Sequence, residues 1–375
     1  ARWMGGFRKV DPDQTAAILY SSGSSTRPKG VMLSQHNLLS NMEAVRMIFK
    51  FDRTVRLCGI LPFFHSFGLN TAMWLPILSE VSVHFVPNPL DGRLVAQTVS
   101  QYQCTMLFGT PTFLLTYLRR CEREDFRSIQ HFIVGAEKMK QSLADSFENY
   151  FGIRPLEGYG ATELSPLVSV NVPDVEVDGC RQQGTQAGSV GRPIPGLATR
   201  VIDPDSGQPV EPGRQGVLWV KGASVMKGYL NAPDKTAEVI QDGWYNTGDI
   251  VIIDEEGFIT ITDRLGRFSK IGGEMISHTA IEEVCQKELQ LQDRAVAVTS
   301  IPDEKKGEQI VVLYVQSMVD GQHLWDILSR SDLPNLAKPR RDNLIAVESI
   351  PTLGSGKLDI RKIRTIAMEH KQVQV

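Results

Sequence analysis

The residues best suited to chemistry lie in a loop rich in hydroxyl groups and glycine near the start of the chain. The segment reads YSSGSSTRPKG, from Tyr20 to Gly30. Such loops present backbone N–H groups and hydroxyls to phosphate oxygens, and a lysine adds positive charge. It is not a Walker A loop, because Pro28 precedes Lys29 and Gly30 follows it. We predict a phosphate-binding loop of another class, with candidate contacts Ser21, Ser22, Gly23, Ser24, Ser25, Thr26 and Lys29.

A loop of this composition is, on its own, equally typical of a flexible connector, so the other polar motifs decide the interpretation. In chain order they are PFFHSFG at 62–68, GAE at 135–137, GYGATE at 158–163, YNTGD at 245–249, DRLG at 263–266 and PTLGSGKLD at 351–359. Each has an ordinary alternative, such as a satisfied histidine, a glycine turn or a solvated surface charge. A carboxylate such as that of Asp249 can, however, accept two hydrogen-bond donors at once.

The ordered set of motifs resembles the signature of the adenylate-forming superfamily, which includes acyl-CoA synthetases, luciferases and nonribosomal peptide adenylation domains. The resemblance runs from about residue 14 to about residue 366. It implies ATP and Mg²⁺ as cofactors. One position departs from the family pattern [ST]SG[ST]TGxPKG: its second glycine is Thr26, which removes backbone freedom there. We expect slower ATP binding or loop closure as a result.

The resemblance also implies roles for individual residues. The catalytic candidates are His65, Thr162, Glu163 and Lys357, with Glu163 as the metal ligand. The nucleotide-binding candidates beyond the loop are Gly135, Ala136, Glu137, Gly158, Tyr159, Gly160, Asp249 and Arg264.

In the family pattern, the tyrosine stacks on adenine, the threonine hydroxyl meets the α-phosphate and the glutamate holds Mg²⁺, a cation that prefers oxygen ligands. Asp249 would accept hydrogen bonds from both ribose hydroxyls, and Arg264 would contact the same ribose. His65 would border the acyl carboxylate. Lys357 would swing into the site and bridge that carboxylate and the α-phosphate, where negative charge concentrates.

These motifs are separated by short apolar runs that alternate with amphipathic stretches. The patterns predict strands at 16–20, 57–61, 81–86 and 131–134 and helices at 35–50, 93–102 and 111–124. The phosphate loop would then join a strand to a helix. Alternation of this kind predicts an α/β fold with a layered sheet.

The second half of the chain has a different pattern. Short strands separated by Gly, Pro, Asp and Asn over 185–262 predict a β-rich, barrel-like subdomain. Helices near 279–290 and 322–330 and strands near 294–300 and 310–316 follow. With the resemblance, this predicts an adenylate-forming fold: a partial large domain at 1–264, a hinge near Gly266, and a small mobile α+β domain at 265–375.

Bulk composition restricts the class of partner and compartment. The chain has 375 residues, with 40 basic and 43 acidic side chains and a net charge of −3, so we expect no nucleic-acid partner. The five cysteines have no metal-ligand spacing and fit a reducing cytoplasm. No apolar stretch is long enough to span a membrane. Because the chain starts at Ala1, almost at the loop, we expect an N-terminally truncated piece whose acyl pocket is incomplete.

The sequence between the motifs indicates a subfamily. The segments at 270–277, 302–308 and 333–359 resemble bacterial acyl-[acyl-carrier-protein] synthetase domains, which follow a 2-acylglycerophosphoethanolamine acyltransferase. This implies activation of a long-chain fatty acid as acyl-AMP and transfer to the phosphopantetheine thiol of acyl carrier protein. It also implies a membrane-associated acyltransferase upstream, and a cytoplasmic location or one at the inner face of the cell membrane.

Two other functions remain open on the sequence. The thiol acceptor could be CoA, which would make the protein a fatty acyl-CoA ligase. From a different class, the chain could be a nucleotide-binding or interaction module without turnover, because it carries Thr26 and lacks upstream sequence. Chain length of the acyl group and oligomeric state are not indicated.

Overall fold

The computed structural model describes residues 10–21, 28–291, 294–303, 305–352 and 358–373, and the structural statements below concern these residues. The chain divides into two compact units, Ala1–Thr262 and Asp263–Val375. Residues 22–26 of the predicted phosphate loop and Lys357 lie outside the described residues.

The first unit contains most of the elements. Its helices are α1 (Gln35–Ile48), α2 (Ser66–Gly68), α3 (Leu75–Ser79), α4 (Gly92–Tyr102), α5 (Pro111–Arg120), α6 (Gln141–Phe151) and α7 (Pro233–Val239). Its strands are β1 (Thr15–Ser21), β2 (Lys29–Ser34), β3 (Arg56–Gly59), β4 (Ser82–Phe85), β5 (Met106–Gly109), β6 (His131–Val134), β7 (Leu156–Gly160), β8 (Leu167–Val170), β9 (Val175–Val177), β10 (Cys180–Gln182), β11 (Arg192–Pro193), β12 (Leu197–Ile202), β13 (Gln215–Gly222), β14 (Gly228–Tyr229), β15 (Ile240–Gln241), β16 (Trp244–Ile253) and β17 (Ile259–Arg264), which runs into the second unit.

A seven-stranded sheet in the order β11-β8-β7-β6-β5-β3-β4 forms the centre of the first unit. Strands β4, β3, β5, β6 and β7 are parallel, and β8 and β11 are antiparallel. The short apolar sequences of β5 and β6 are buried almost throughout, as expected for parallel strands covered on both faces. Aromatic rings of Tyr117, Phe126, Phe132 and Phe147 pack between the sheet and its helices. This confirms the α/β layered fold.

Two details of the predicted elements were wrong. The phosphate loop does not join a strand to a helix, because β1 and β2 are antiparallel neighbours, paired from Thr15–Ser34 to Ser21–Lys29. The loop therefore connects the two strands of a hairpin, and α1 begins only after β2, at a capping box between Ser34 and Asn37. The predicted helix at 111–124 ends at Arg120, since Cys121 has extended backbone angles.

The predicted β-rich region contains a five-stranded antiparallel sheet in the order β12-β13-β16-β15, with β17 paired to β16. Val201, Leu218, Val220, Val251 and Ile259 point into its apolar core. The same core includes residues of β2 and β7, so these strands and the β-rich sheet share one packed interior.

The second unit is an α+β domain. It contains β18 (Phe268–Ile271), β19 (Glu274–Ser277), β20 (Val296–Asp303), β21 (Gly307–Val315), β22 (Leu344–Val347), α8 (His278–Glu288), α9 (Gly321–Arg330) and α10 (Ile360–Val373). The sheet order is β19-β18-β21-β20, with β22 parallel to β21. All three helices contribute side chains to its core, and α10 was not predicted from the sequence.

Candidate active site

The end of β7 and the middle of β16 meet in a hydrogen bond. The Tyr159 hydroxyl donates to Asp249 Oδ2, and both side chains are buried, at 8% and 4% exposed. Asp249 follows Gly248, whose φ of 70° lies in the left-handed region that favours glycine. The Thr247 hydroxyl accepts from the Asp249 backbone N–H at 3.0 Å. The YNTGD motif is thus a defined turn that presents one carboxylate to the tyrosine of GYGATE.

The GYGATE segment leaves β7 through a tight approach to the chain that follows it. A Cβ on Gly160 would lie 2.2 Å from the Pro166 carbonyl oxygen, so only glycine fits there. A 3₁₀ turn, Thr162–Leu164, follows. A hydrogen bond of 3.1 Å joins Thr162 Oγ1 to Ser66 Oγ. The structure therefore brings GYGATE and PFFHSFG together.

The Glu163 side chain is hydrogen-bonded to Tyr229, which also contacts Lys29. Glu163 Oε1 accepts a hydrogen bond of 3.0 Å from the Tyr229 hydroxyl. Lys29 Nζ lies 4.6 Å from the centroid of the Tyr229 ring. The lysine of the phosphate loop and the candidate metal ligand therefore share one neighbour, Tyr229, which sequence reasoning missed.

Two buried asparagines hold the turn that carries Thr162 and Glu163. Asn41 Nδ2 donates to the carbonyl oxygens of Leu167 and Leu164, at 2.8 and 3.3 Å. Asn70 Nδ2 donates to the Ser165 carbonyl oxygen at 2.5 Å. Neither asparagine was a sequence candidate. Both satisfy backbone oxygens that would otherwise be buried without a donor.

His65 is placed at the start of a long helical segment. It precedes α2, and its carbonyl oxygen accepts from the Leu69 N–H at 2.8 Å. A π-helix, Leu69–Trp74, joins α2 to α3. His65 is exposed, and so is its neighbour Phe64, at 77%. The His65 side chain therefore lies at the surface, directly before α2.

The GAE segment forms the turn after β6. A Cβ on Gly135 would lie 3.0 Å from the Gly158 carbonyl oxygen, so this turn packs closely on the GYG backbone. Ala136 has a φ of 69°. The Glu137 carboxylate accepts from the Thr112 N–H at 3.2 Å and its hydroxyl at 2.7 Å, and so caps the start of α5.

Glu157, which directly precedes GYG, is a titratable group that the sequence motifs do not include. Burial raises the pKa of Glu157 to about 7, although the positive charges of Arg154 and Lys138 act in the opposite direction. Arg154 is itself paired with Asp145 and Glu148, at 2.8 and 2.7 Å. A carboxyl group that titrates near neutral pH thus lies two residues from Tyr159.

The remaining candidate, Arg264, lies in the second unit, where Asp263 organises the start of the domain. The Asp263 carboxylate accepts from the Arg264 N–H at 2.8 Å, the Ser277 hydroxyl at 2.6 Å and the Thr279 hydroxyl at 3.0 Å. Burial lowers the pKa of His278 to about 3, and it hydrogen-bonds to Ser269 at 2.5 Å.

Within the described ranges, no group of three or more His, Cys, Asp or Glu side chains is arranged to hold a metal ion. Mg²⁺ needs no such cage, because one or two carboxylates and substrate phosphates often hold it. The carboxylate of Glu163, which accepts a hydrogen bond from Tyr229, fits that requirement. None of the helices that the structure describes is both long and apolar enough to cross a membrane.

Comparison with known proteins gives a consistent result. The chain matches the family described as AMP-binding enzyme over residues 5–230. It is 31% identical to the long-chain-fatty-acid–CoA ligase of Bacillus subtilis, over 98% of this chain and 64% of the relative. It is 32% identical to the Escherichia coli ligase of that name, over 81% of this chain and 53% of the relative. The chain thus spans less than two thirds of the length of these relatives.

Solved structures share the fold. ATP-bound MatB from Rhodopseudomonas palustris has 29% identity and a TM-score of 0.79, over 95% of this chain and 69% of that one. The o-succinylbenzoate CoA synthetase of Bacillus subtilis, in complex with ATP and magnesium, has 24% identity and a TM-score of 0.79, over 94% and 70% of the two chains. The second match shows the fold alone.

Proposed function

We propose a function from one premise: the chain belongs to the AMP-binding enzyme family. It is an AMP-forming acid–thiol ligase that activates a long-chain fatty acid with ATP and passes the acyl group to a thiol. The observation that carries the proposal is that Tyr159, Asp249, Thr162 and Glu163 lie in one unit, where Tyr159 bonds to Asp249, Thr162 to Ser66 and Glu163 to Tyr229. The names of the relatives support the acyl class, since two are long-chain-fatty-acid–CoA ligases.

The proposed nucleotide contacts are those that the family resemblance implies, and the arrangement of the residues supports them. Asp249 accepts hydrogen bonds from the ribose hydroxyls, and Tyr159 stacks on adenine above the Gly135 turn. The Thr162 hydroxyl donates to the α-phosphate, and Lys29 with residues 21–26 binds the other phosphates. Glu163 holds Mg²⁺, which when bound neutralises phosphate charge.

The proposed reaction has two steps. A carboxylate oxygen of the fatty acid attacks the α-phosphorus, the bond from that phosphorus to the bridging oxygen breaks, and pyrophosphate leaves. The thiolate sulfur then attacks the acyl carbon, AMP leaves with the mixed-anhydride oxygen, and the thiol proton passes to solvent. The main task of the protein is to position two anions and offset their repulsion.

Four further residues have roles in this proposal, at the acyl group, the hinge and the ribose. His65 borders the acyl carboxylate. Lys357 bridges that carboxylate and the α-phosphate in the first step. Gly266, in the 3₁₀ turn Leu265–Arg267, is the hinge about which residues 265–375 rotate between the two steps, with Arg264 on the ribose.

Acyl carrier protein is the acceptor that we propose, because the segments at 270–277, 302–308 and 333–359 resemble acyl-ACP synthetase domains. An acyltransferase upstream in the polypeptide belongs to the same proposal. CoA is the second candidate, favoured by the names of the relatives.

The acceptor is tested with the full-length protein, a long-chain fatty acid, Mg·ATP, and either holo-acyl carrier protein or CoA. We expect acyl-ACP to form with the higher kcat/KM. A higher kcat/KM for CoA would remove the carrier-protein assignment and leave an acyl-CoA ligase. Nucleotide binding without either thioester would support a module without turnover.

A further inference from the structure

We propose that Tyr229 is a positioning residue that orients both Glu163 and Lys29 for the metal–nucleotide complex. The inference rests on the proposed function. It starts from two independent contacts of one side chain: the hydroxyl donates to Glu163 Oε1 at 3.0 Å, and the ring face lies 4.6 Å from Lys29 Nζ. Tyr229 is 5% exposed, so both contacts are largely shielded from water.

The backbone fixes where this side chain points. Strand β14 pairs with β2, so that Tyr229 lies opposite Val31, two residues after Lys29. The Tyr229 N–H donates to the Thr236 hydroxyl at 2.9 Å, and the Leu230 N–H donates to the Gly30 carbonyl oxygen at 2.8 Å. The backbone of Tyr229 is therefore held against the strand that carries Lys29. Its side chain has a fixed starting point from which it contacts both Glu163 and Lys29.

The hydroxyl of Tyr229 has one proton and can also accept. That proton goes to Glu163 Oε1. The bond directs a donor at one carboxylate oxygen and leaves the other oxygen of Glu163 for a ligand. Charge-assisted bonds of this kind are stronger than neutral ones.

The ring has a separate effect. An ammonium over an aromatic face is attracted by the ring quadrupole. The ring thus holds Lys29 while the hydroxyl holds Glu163, so that one side chain positions a cation for phosphate and an anion for metal. Two substitutions can separate these effects: Tyr229→Phe keeps the ring and removes the hydroxyl, whereas Tyr229→Leu removes both.

The test uses the full-length protein and two binding measurements. Metal affinity is measured by electron paramagnetic resonance with Mn²⁺ and a non-hydrolysable ATP analogue, and metal-free ATP affinity by calorimetry in EDTA. For Tyr229→Phe we expect about a tenfold loss of Mn²⁺ affinity, typical of a lost partner of a metal ligand, with metal-free ATP affinity unchanged. Tyr229→Leu should also weaken metal-free ATP binding. Exposed Tyr102 supplies the control, Tyr102→Phe.

A coupling measurement distinguishes positioning from a general structural effect. In a Glu163→Gln background, Tyr229→Phe should cause no further loss of Mn²⁺ affinity. Wild-type affinity in Tyr229→Phe, or an equal loss in both backgrounds, would overturn the inference. If Tyr229→Phe fails to fold by circular dichroism, Tyr229→Leu, which also lacks the hydroxyl, takes its place: a similar loss of Mn²⁺ affinity is expected, and no loss rejects the inference.

Failure of the inference and failure of the proposed function give different results. A wild-type protein that binds no nucleotide would remove the proposed function and, with it, the role of Tyr229. A wild-type protein that forms acyl-AMP, together with a Tyr229→Phe variant of unchanged Mn²⁺ affinity, would remove only the inference.

Discussion

Two carboxylates of the candidate nucleotide site are each held by the hydroxyl of a tyrosine. Tyr159 donates to Asp249, and Tyr229 donates to Glu163. A carboxylate has about four acceptor positions, so a hydrogen bond from a tyrosine does not use its full capacity to accept. The same arrangement thus suits Asp249 to ribose hydroxyls and Glu163 to a metal ion.

Glu157 makes a testable contribution to pH dependence. Its pKa of about 7 in the folded state exceeds its ordinary value of 4.5, so the folded protein binds the extra proton between these values. The free energy of unfolding should therefore fall as pH rises through this window and level off above pH 7. Glu157→Gln should remove this pH dependence. The change in unfolding free energy that the substitution causes should therefore be about 1–3 kcal/mol more favourable at pH 8 than at pH 5.

Urea denaturation of wild type and Glu157→Gln at both pH values checks this prediction, with exposed Glu238→Gln as the control. If wild type and Glu157→Gln differ in unfolding free energy by the same amount at pH 5 and at pH 8, Glu157 does not titrate in this range.

The motif residues were predictable because each lies in a short, distinctive run, but their partners were not. Tyr229 is 66 residues from Glu163, and Asn41 is 126 residues from Leu167. Hydrogen bonds over such separations leave no local spacing to detect. A usable signal existed in α1, where Asn37 and Asn41 lie four residues apart on the buried face, since buried polar side chains need partners.

At the scale of elements, α1 does more than cover the sheet. Its Asn37 donates to the carbonyl oxygens of Ala223 and Val225, at 2.7 and 2.8 Å, and Asn41 donates to the turn after Glu163. One helix face therefore fixes two loops, one of which carries the candidate catalytic residues. This makes α1 a support for the site as well as part of the core.

Asn41→Ala should both destabilise the protein and loosen the Thr162–Glu163 turn. It leaves the Leu167 carbonyl oxygen and N–H buried without their partner, which costs about 1–3 kcal/mol. We expect that loss in urea denaturation, and weaker Mg·ATP binding by calorimetry. Ser40→Ala is the matched control, since the Ser40 hydroxyl bonds only within its helix, to Asn37. If Asn41→Ala is as stable as Ser40→Ala and binds Mg·ATP as tightly, Asn41 does not support the Thr162–Glu163 turn.

The pattern of apolar residues predicted some strands and helices correctly and missed others. The alternation of strands and helices was read correctly because β3, β5 and β6 are short apolar runs. Strand β2 was missed because KGVMLS merges with the helix that follows, and no turn residue separates them. The loop was therefore placed between a strand and a helix, although it belongs to a hairpin.

At the scale of the whole molecule, the described candidates divide unequally between the two units. Residues from Lys29 to Asp249 lie in Ala1–Thr262, and Arg264 lies in Asp263–Val375. The order of motifs along the chain was enough to predict the fold, because the family resemblance rests on that order. Rotation of the second unit stays a prediction, because a single conformation does not test a movement.

The central claim is that this site forms an acyl-adenylate, and fatty-acid-dependent ATP/pyrophosphate exchange tests it most directly. The full-length protein should catalyse exchange only when a fatty acid is present. Lys357→Ala should lower the exchange rate by about 100-fold or more, as expected when a group that stabilises developing charge is removed, while ATP still binds by calorimetry. ATP binding without exchange in the wild type, or a wild-type exchange rate in Lys357→Ala, would contradict the account.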